Sequence, residues 1–126
     1  MPSCVYTSPE IATVGITADE AKAQGRAVIT GKYVMSSNGK SIIENEDRGF
    51  IKLVFDAETE KLIGAQLMCG RATDMIGEMV TAVSAGLTKA QLAMALHPHP
   101  TFCEGITEAV HAADGHSIHI MPPRRR

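Results

Sequence analysis

The sequence predicts an α+β fold built on a mainly antiparallel sheet, and three observations predict it. Strand-like segments fall in the first half of the chain and helical periodicity in the second, so strands and helices segregate instead of alternating. The two strongest strand segments, "GFIKLVFD" at 49–56 and "LIGAQLM" at 62–68, are separated only by a short polar loop and form a hairpin, which is antiparallel. The chain is 126 residues long, 44% apolar and 21% charged, which suits one globular domain with its own core.

The elements follow in order. "VYT" at 5–7 reads as a short strand and "SPE" after it as a turn. Residues 17–25 form a short helix, opened by a Thr17–Glu20 capping box and stopped by Gly25. "AVITGKYV" at 27–34 is a strand, and "SSNGK" at 36–40 is turn chemistry. The hairpin strands at 49–56 and 62–68 are apolar on both sides, so both sheet faces should be covered. In 73–87, Met75, Ile76, Met79, Val80, Val83 and Leu87 share one helical stripe, the pattern of a core-facing helix. A second helix over 88–96 carries another capping box, Thr88 with Gln91, and a third runs from Thr101 to about Ala113. Residues 1–114 are thus one domain and 115–126 an extended tail. The apolar stripes of the late helices exceed what one small core needs and favour pairing of two copies.

Composition removes several function classes. The net charge is −2, and the one basic cluster, Arg124–Arg126, is terminal, so neither nucleic acid nor an anionic membrane is the expected partner. No apolar run reaches the roughly 18 residues of a membrane helix, and the first residues lack a signal-peptide pattern. Cys4, Cys69 and Cys103 are odd in number with no CxxC, which points to a reducing cytoplasm. There is no GxGxxG, GxxxxGK[ST], GxSxG or HExxH, hence no visible means of binding a dinucleotide in this chain.

"HPHPTFCEGITEA" at 97–109 concentrates the chemistry. Pro98 and Pro100 fix their own φ and keep His97 and His99 out of the helical region, so both imidazoles ride on a stiff segment between helices. A metal is one reading of the His-x-His pair, but further ligands at suitable spacing are lacking. A thiol–base pair of Cys103 with His99 is another, with Cys103 near a helix N-terminus. A third makes His99 an acid–base group whose partner is Glu104, a residue that also completes a Thr101–Glu104 capping box. A histidine that merely packs in a loop, with Glu104 only capping, is the plain alternative.

"CVYTSPEIATVGIT", "GFIKLVFDAETEKLIGAQLM" and "HPHPTFCEGITEA" resemble the C-terminal dimerisation domain of the pyridine nucleotide–disulfide oxidoreductases, in the dihydrolipoamide dehydrogenase branch. The resemblance covers residues 3–113. Its most specific part is the His-x-His-Pro-Thr-x-x-Glu pattern, matched at His97, His99, Pro100, Thr101 and Glu104, and its opening is matched at Tyr6, Thr7, Pro9, Glu10, Ala12, Val14 and Gly15. The resemblance implies a homodimer in which His99 is the acid–base group of dithiol–disulfide exchange and Glu104 hydrogen-bonds it. His99 would reach the other subunit's redox disulfide, and the main chain at His97 and Pro98 would face the flavin. It implies FAD, NAD and a dihydrolipoamide-type dithiol for the full-length enzyme, whose FAD domain, NAD domain and redox cysteines are not among these residues. The chain is therefore expected to hold no cofactor and no metal and to be inactive alone. A self-standing dimerisation module, or the same domain of a mercuric, glutathione or trypanothione type reductase, are the competing readings.

Overall fold

The computed structural model describes residues 1–116 and 118. Five strands, β1 (Ser3–Val5), β2 (Glu10–Gly15), β3 (Val28–Val34), β4 (Phe50–Asp56) and β5 (Leu62–Cys69), form one sheet in the order β1-β2-β5-β4-β3. Every pair is antiparallel, as the segregation of strands and helices predicted. The helices are α1 (Ala18–Ala23), α2 (Gly39–Ile43), α3 (Ala72–Ala85), α4 (Lys89–Ala93) and α5 (Glu104–Ala112). The expected tail beyond residue 116, apart from Ile118, lies outside the described residues.

Two elements depart from the sequence reading. Strand β2 has no counterpart in it, because "SPE" carries turn chemistry and the strand begins directly behind Pro9. β1 also lies two residues earlier than the expected 5–7. The "SSNGK" turn is in fact a short 3-10 turn followed by α2. Asn38 caps α2: its Oδ1 accepts the Ser41 N–H at 2.9 Å and the Ser41 hydroxyl at 2.8 Å, both residues being buried. The same residues that favour turns favour N-caps, so only the continuation into a helix distinguishes the two outcomes.

The core lies on one face of the sheet. Ala12, Tyr33, Ile51, Leu53, Ala65 and Leu67 point there and are covered by α3 and α5. Of the α3 stripe, Met75, Ile76 and Met79 are buried in this core, and Val80, Val83 and Leu87 pack half-buried against it. Full burial of such side chains contributes about 1.5–3 kcal/mol each before entropy is counted. Glycine brings α5 close to the sheet from both sides. A Cβ at Gly31 would lie 1.8 Å from the Ala109 carbonyl oxygen, and one at Gly105 would lie 2.9 Å from Ile51 Cδ1.

On the opposite face the hairpin strands β4 and β5 are buried or half-buried throughout, while the flanking strands are more open. Val5, Ile11, Met68, Phe50 and Val34 are successive cross-strand neighbours, an apolar row across all five strands. Val5, Ile11 and Val34 are exposed, and Lys32 Nζ lies 4.5 Å above the Phe50 ring. Among the described residues this face is most closely covered at one end, where Ile16 lies against Gly64 and Val54 is buried. The apolar outward side chains are real; among the described residues no second layer spans the whole row.

Candidate functional site

Helix α4 ends at Ala93 and α5 begins at Glu104; between them runs the His-Pro-His-Pro strap. The Thr88–Gln91 capping box starts α4 as expected, but the helix is shorter than 88–96 and leaves Met94 and Leu96 79% and 97% exposed. Among the described residues, no backbone–backbone hydrogen bond involves residues 96–101. Prolines 98 and 100 have no N–H to give, so the strap is held by side chains.

On its C-terminal side the anchor is Glu104. Its Oε2 accepts the Thr101 N–H at 2.9 Å, and its Oε1 lies 2.9 Å from His99 Nδ1. Capping and contact with His99 are thus performed by different oxygens of one carboxylate. The capping box itself is only half formed. The Thr101 hydroxyl donates to the Pro98 carbonyl at 2.7 Å instead of accepting from the helix, whose N-cap is Cys103. Asn38 Nδ2, from the start of α2, donates to the Thr101 carbonyl at 3.0 Å. Burial pushes the Glu104 carboxyl up, but the Thr101 N–H, the His99 ring and His97 outweigh it and hold the carboxyl below its usual range.

His99 is the outermost of these groups, with its side chain 78% exposed. A carboxylate can only accept, so the contact with Glu104 assigns the ring proton to Nδ1 and leaves the Nε2 lone pair facing outward. Two clefts lie elsewhere. One of about 440 Å³ is lined by residues including Glu10, Arg48 and Arg71, the other of about 510 Å³ by residues including Met75, Pro100 and Phe102. Neither is lined by His99 or Glu104.

His97 points to a different carboxylate. Its Nε2 lies 3.0 and 3.1 Å from the two oxygens of Glu78 on α3, and its Nδ1 2.7 Å from the Thr107 hydroxyl on α5. Glu78 raises the His97 pKa above its usual 6.5, against the opposing effect of burial. The two histidines therefore do not converge, and among the described residues no group of three His, Cys, Asp or Glu could hold a metal. The Cys103 thiol is pushed up by burial and by Glu78, the reverse of what a helix N-terminus would do, and no hydrogen bond joins it to His99.

Sequence reasoning reached His99 and Glu104 but not Glu78, Thr107 or Asn38. Thr107 stands one turn after Glu104, so helical spacing places it on the same side of α5. Glu78 carried no such signal: it is 19 residues from His97, across a chain reversal.

A profile of the family described as "Pyridine nucleotide-disulphide oxidoreductase, dimerisation domain" matches residues 1–110. The chain belongs to this family. Its relatives include a dihydrolipoyl dehydrogenase of Bacillus subtilis, 43% identical over 95% of this chain and 25% of that protein. Another, from Mycoplasma pneumoniae, is 43% identical over 85% of this chain and 23% of that protein. Among solved structures, LpdA from Mycobacterium tuberculosis superposes with a TM-score of 0.83 at 28% identity, covering 88% of this chain and 24% of that one. The flavoprotein disulfide reductase RclA of Escherichia coli shares the fold, with a TM-score of 0.84 over 87% of this chain and 25% of its own. The dimerisation domain thus spans about a quarter of the length of the relatives it matches.

Proposed function

We propose that this dimerisation domain pairs two subunits of a disulfide oxidoreductase of the dihydrolipoyl dehydrogenase kind and supplies His99, oriented by Glu104, to the partner subunit's dithiol–disulfide exchange site. The observation that carries the reading is the 2.9 Å contact of Glu104 with His99 Nδ1 on a ring whose other nitrogen faces outward. Nε2 takes the proton of a substrate thiol as its sulfur attacks a disulfide. One S–S bond forms, one breaks, and Glu104 stabilises the imidazolium that results. A base this exposed needs a second surface to exclude water, and the exposed apolar Met94 and Leu96, a few residues upstream in the chain, suit contact with a second copy.

FAD and NAD belong to the rest of such an enzyme, where together they would supply the two-electron redox chemistry that this chain's own residues lack. The strap fits a flavin contact through its main chain. Among the described residues the His97 N–H and C=O make no hydrogen bond, whereas both nitrogens of its ring are engaged and the Pro98 carbonyl accepts from Thr101. His97 and Pro98 would accordingly meet the cofactor by backbone groups and not by the imidazole. Cys4, Cys69 and Cys103 are free thiols, which supports a reducing, cytoplasmic setting.

The test is a chimera in which these 126 residues replace the matched quarter of the Bacillus subtilis relative. His99→Gln should lower lipoamide turnover by about 10²–10⁴-fold, and Glu104→Gln by less, because it removes charge and orientation but not the base. Mixing His99→Gln subunits with subunits lacking the redox cysteines should restore activity through heterodimers that hold one intact site. A mixture as inactive as its parents after demonstrated subunit exchange refutes placement across the interface.

A further inference from the structure

The strap needs an anchor on each side of His99, and the two anchors differ in origin. Downstream, Glu104, Asn38 and the Thr101 hydroxyl hold it. Upstream, Met94 and Ala95 still bond back into α4, but Leu96 is exposed and makes no hydrogen bond among the described residues. Between Leu96 and His99, the side chain that grips the fold among the described residues is the imidazole of His97, two residues before His99 and hence within about 7 Å along the chain. It is held between Glu78 on α3 and Thr107 on α5, two helices packed on the same sheet face.

We infer that Glu78 is a positioning residue for His99, acting by clamping the His97 ring. The inference rests on the acid–base reading of His99 given above. The clamp is satisfied in either protonation state of His97. The carboxylate requires an N–H at Nε2, while the Thr107 hydroxyl donates to a bare Nδ1 or accepts from a protonated one. The charged and titratable groups facing this ring are Glu78 from α3 and Glu104 from α5, with the Cys103 thiol beside Glu78. Releasing the ring frees the strap on one side only. His99 keeps its contact with Glu104 but loses the upstream restraint that sets where Nε2 points, and a displacement of about 1 Å at a reacting group can cost up to about 100-fold.

Three variants of the chimera test this, each with kcat and KM read separately. Glu78→Ala should lower kcat about tenfold with KM within about twofold, since substrate contacts are untouched. Glu78→Gln should restore most of that loss, because its amide oxygen still accepts from Nε2–H. In the 126-residue chain, the His97 ring, followed by NMR, should titrate at lower pH in both variants, which reads the clamp without any activity. Parent-like kcat in Glu78→Ala, beside a crippled His99→Gln, overturns the positioning role alone. An active His99→Gln enzyme overturns the acid–base reading and this inference with it. An unshifted His97 titration shows that the clamp does not exist.

Discussion

Gly31→Ala is the sharpest test of how the sheet sets the site. The added Cβ would stand 1.8 Å from the Ala109 carbonyl oxygen and 2.9 Å from the Ala113 nitrogen, both backbone atoms of α5 or its C-terminal end. Real Cβ contacts essentially never fall below 3.0 Å, so helix and strand must separate by about 1.2 Å. No side-chain rotamer change can relieve a clash between two backbones. Overpacking of this kind costs typically about 1–3 kcal/mol. α5 cannot shift alone, because Ile106, Ala109 and Val110 are buried in the core and Glu104 holds both His99 and Thr101. Equilibrium urea unfolding at one fixed protein concentration should show a lower midpoint with an unchanged slope, corresponding to at least about 1 kcal/mol. The His99 resonances should shift as well, although residue 31 does not touch that ring. A midpoint within about 0.5 kcal/mol of the parent would refute the claim that backbone proximity at Gly31 seats α5.

Further outcomes follow from the same geometry. Gly77→Ala, in the interior of α3 with nothing within 4 Å of its added Cβ, should stabilise by about 0.5–1 kcal/mol in the same urea assay. Asn38→Ala should cost about 1–3 kcal/mol, because it removes the α2 cap and the donor to the Thr101 carbonyl; Asn38→Asp should recover the cap but not the tie to the strap. The folded-state pKa of His97 is raised, so the Glu78–His97 pair stabilises fully below the unfolded value of 6.5 and loses that contribution as pH rises through the higher folded value. Urea midpoints taken upward from pH 5.5 should therefore fall more in the parent than in Glu78→Gln.

The fold was legible where one pattern had one interpretation. The 50–56 and 62–69 hairpin, the α3 stripe and two of the capping boxes are local, and local propensity agrees with the final structure at each. It failed where the same residues serve two ends. Pro9 both ends a turn and precedes β2, and Asn38 both makes a turn and caps α2. Strand composition reports that side chains are apolar, not which element covers them, so the half-buried outer face of β4 and β5 could not be assigned a cover in advance. At the site, His99 and Glu104 are five residues apart; spacing left Glu104 as a cap or as a partner of His99, and the family resemblance implied the pairing. Glu78 and His97 meet because the strap before α5 crosses to α3 over the same sheet, a tertiary fact with no local signature.

Among the described residues no backbone–backbone hydrogen bond involves 96–101, which has a kinetic consequence. The amides of Leu96, His97 and His99 have no protein acceptor among the described residues, so they should exchange with solvent deuterium orders of magnitude faster than those of α3 or β4 on either side of the core. Fast exchange here would not signal a wandering chain. Imidazole, carboxylate and hydroxyl clamps fix the path, while the peptide groups stay open to outside partners. A docking surface can therefore form main-chain hydrogen bonds to this stretch without first melting a turn or a sheet edge, and association needs little reorganisation of the segment that carries His99.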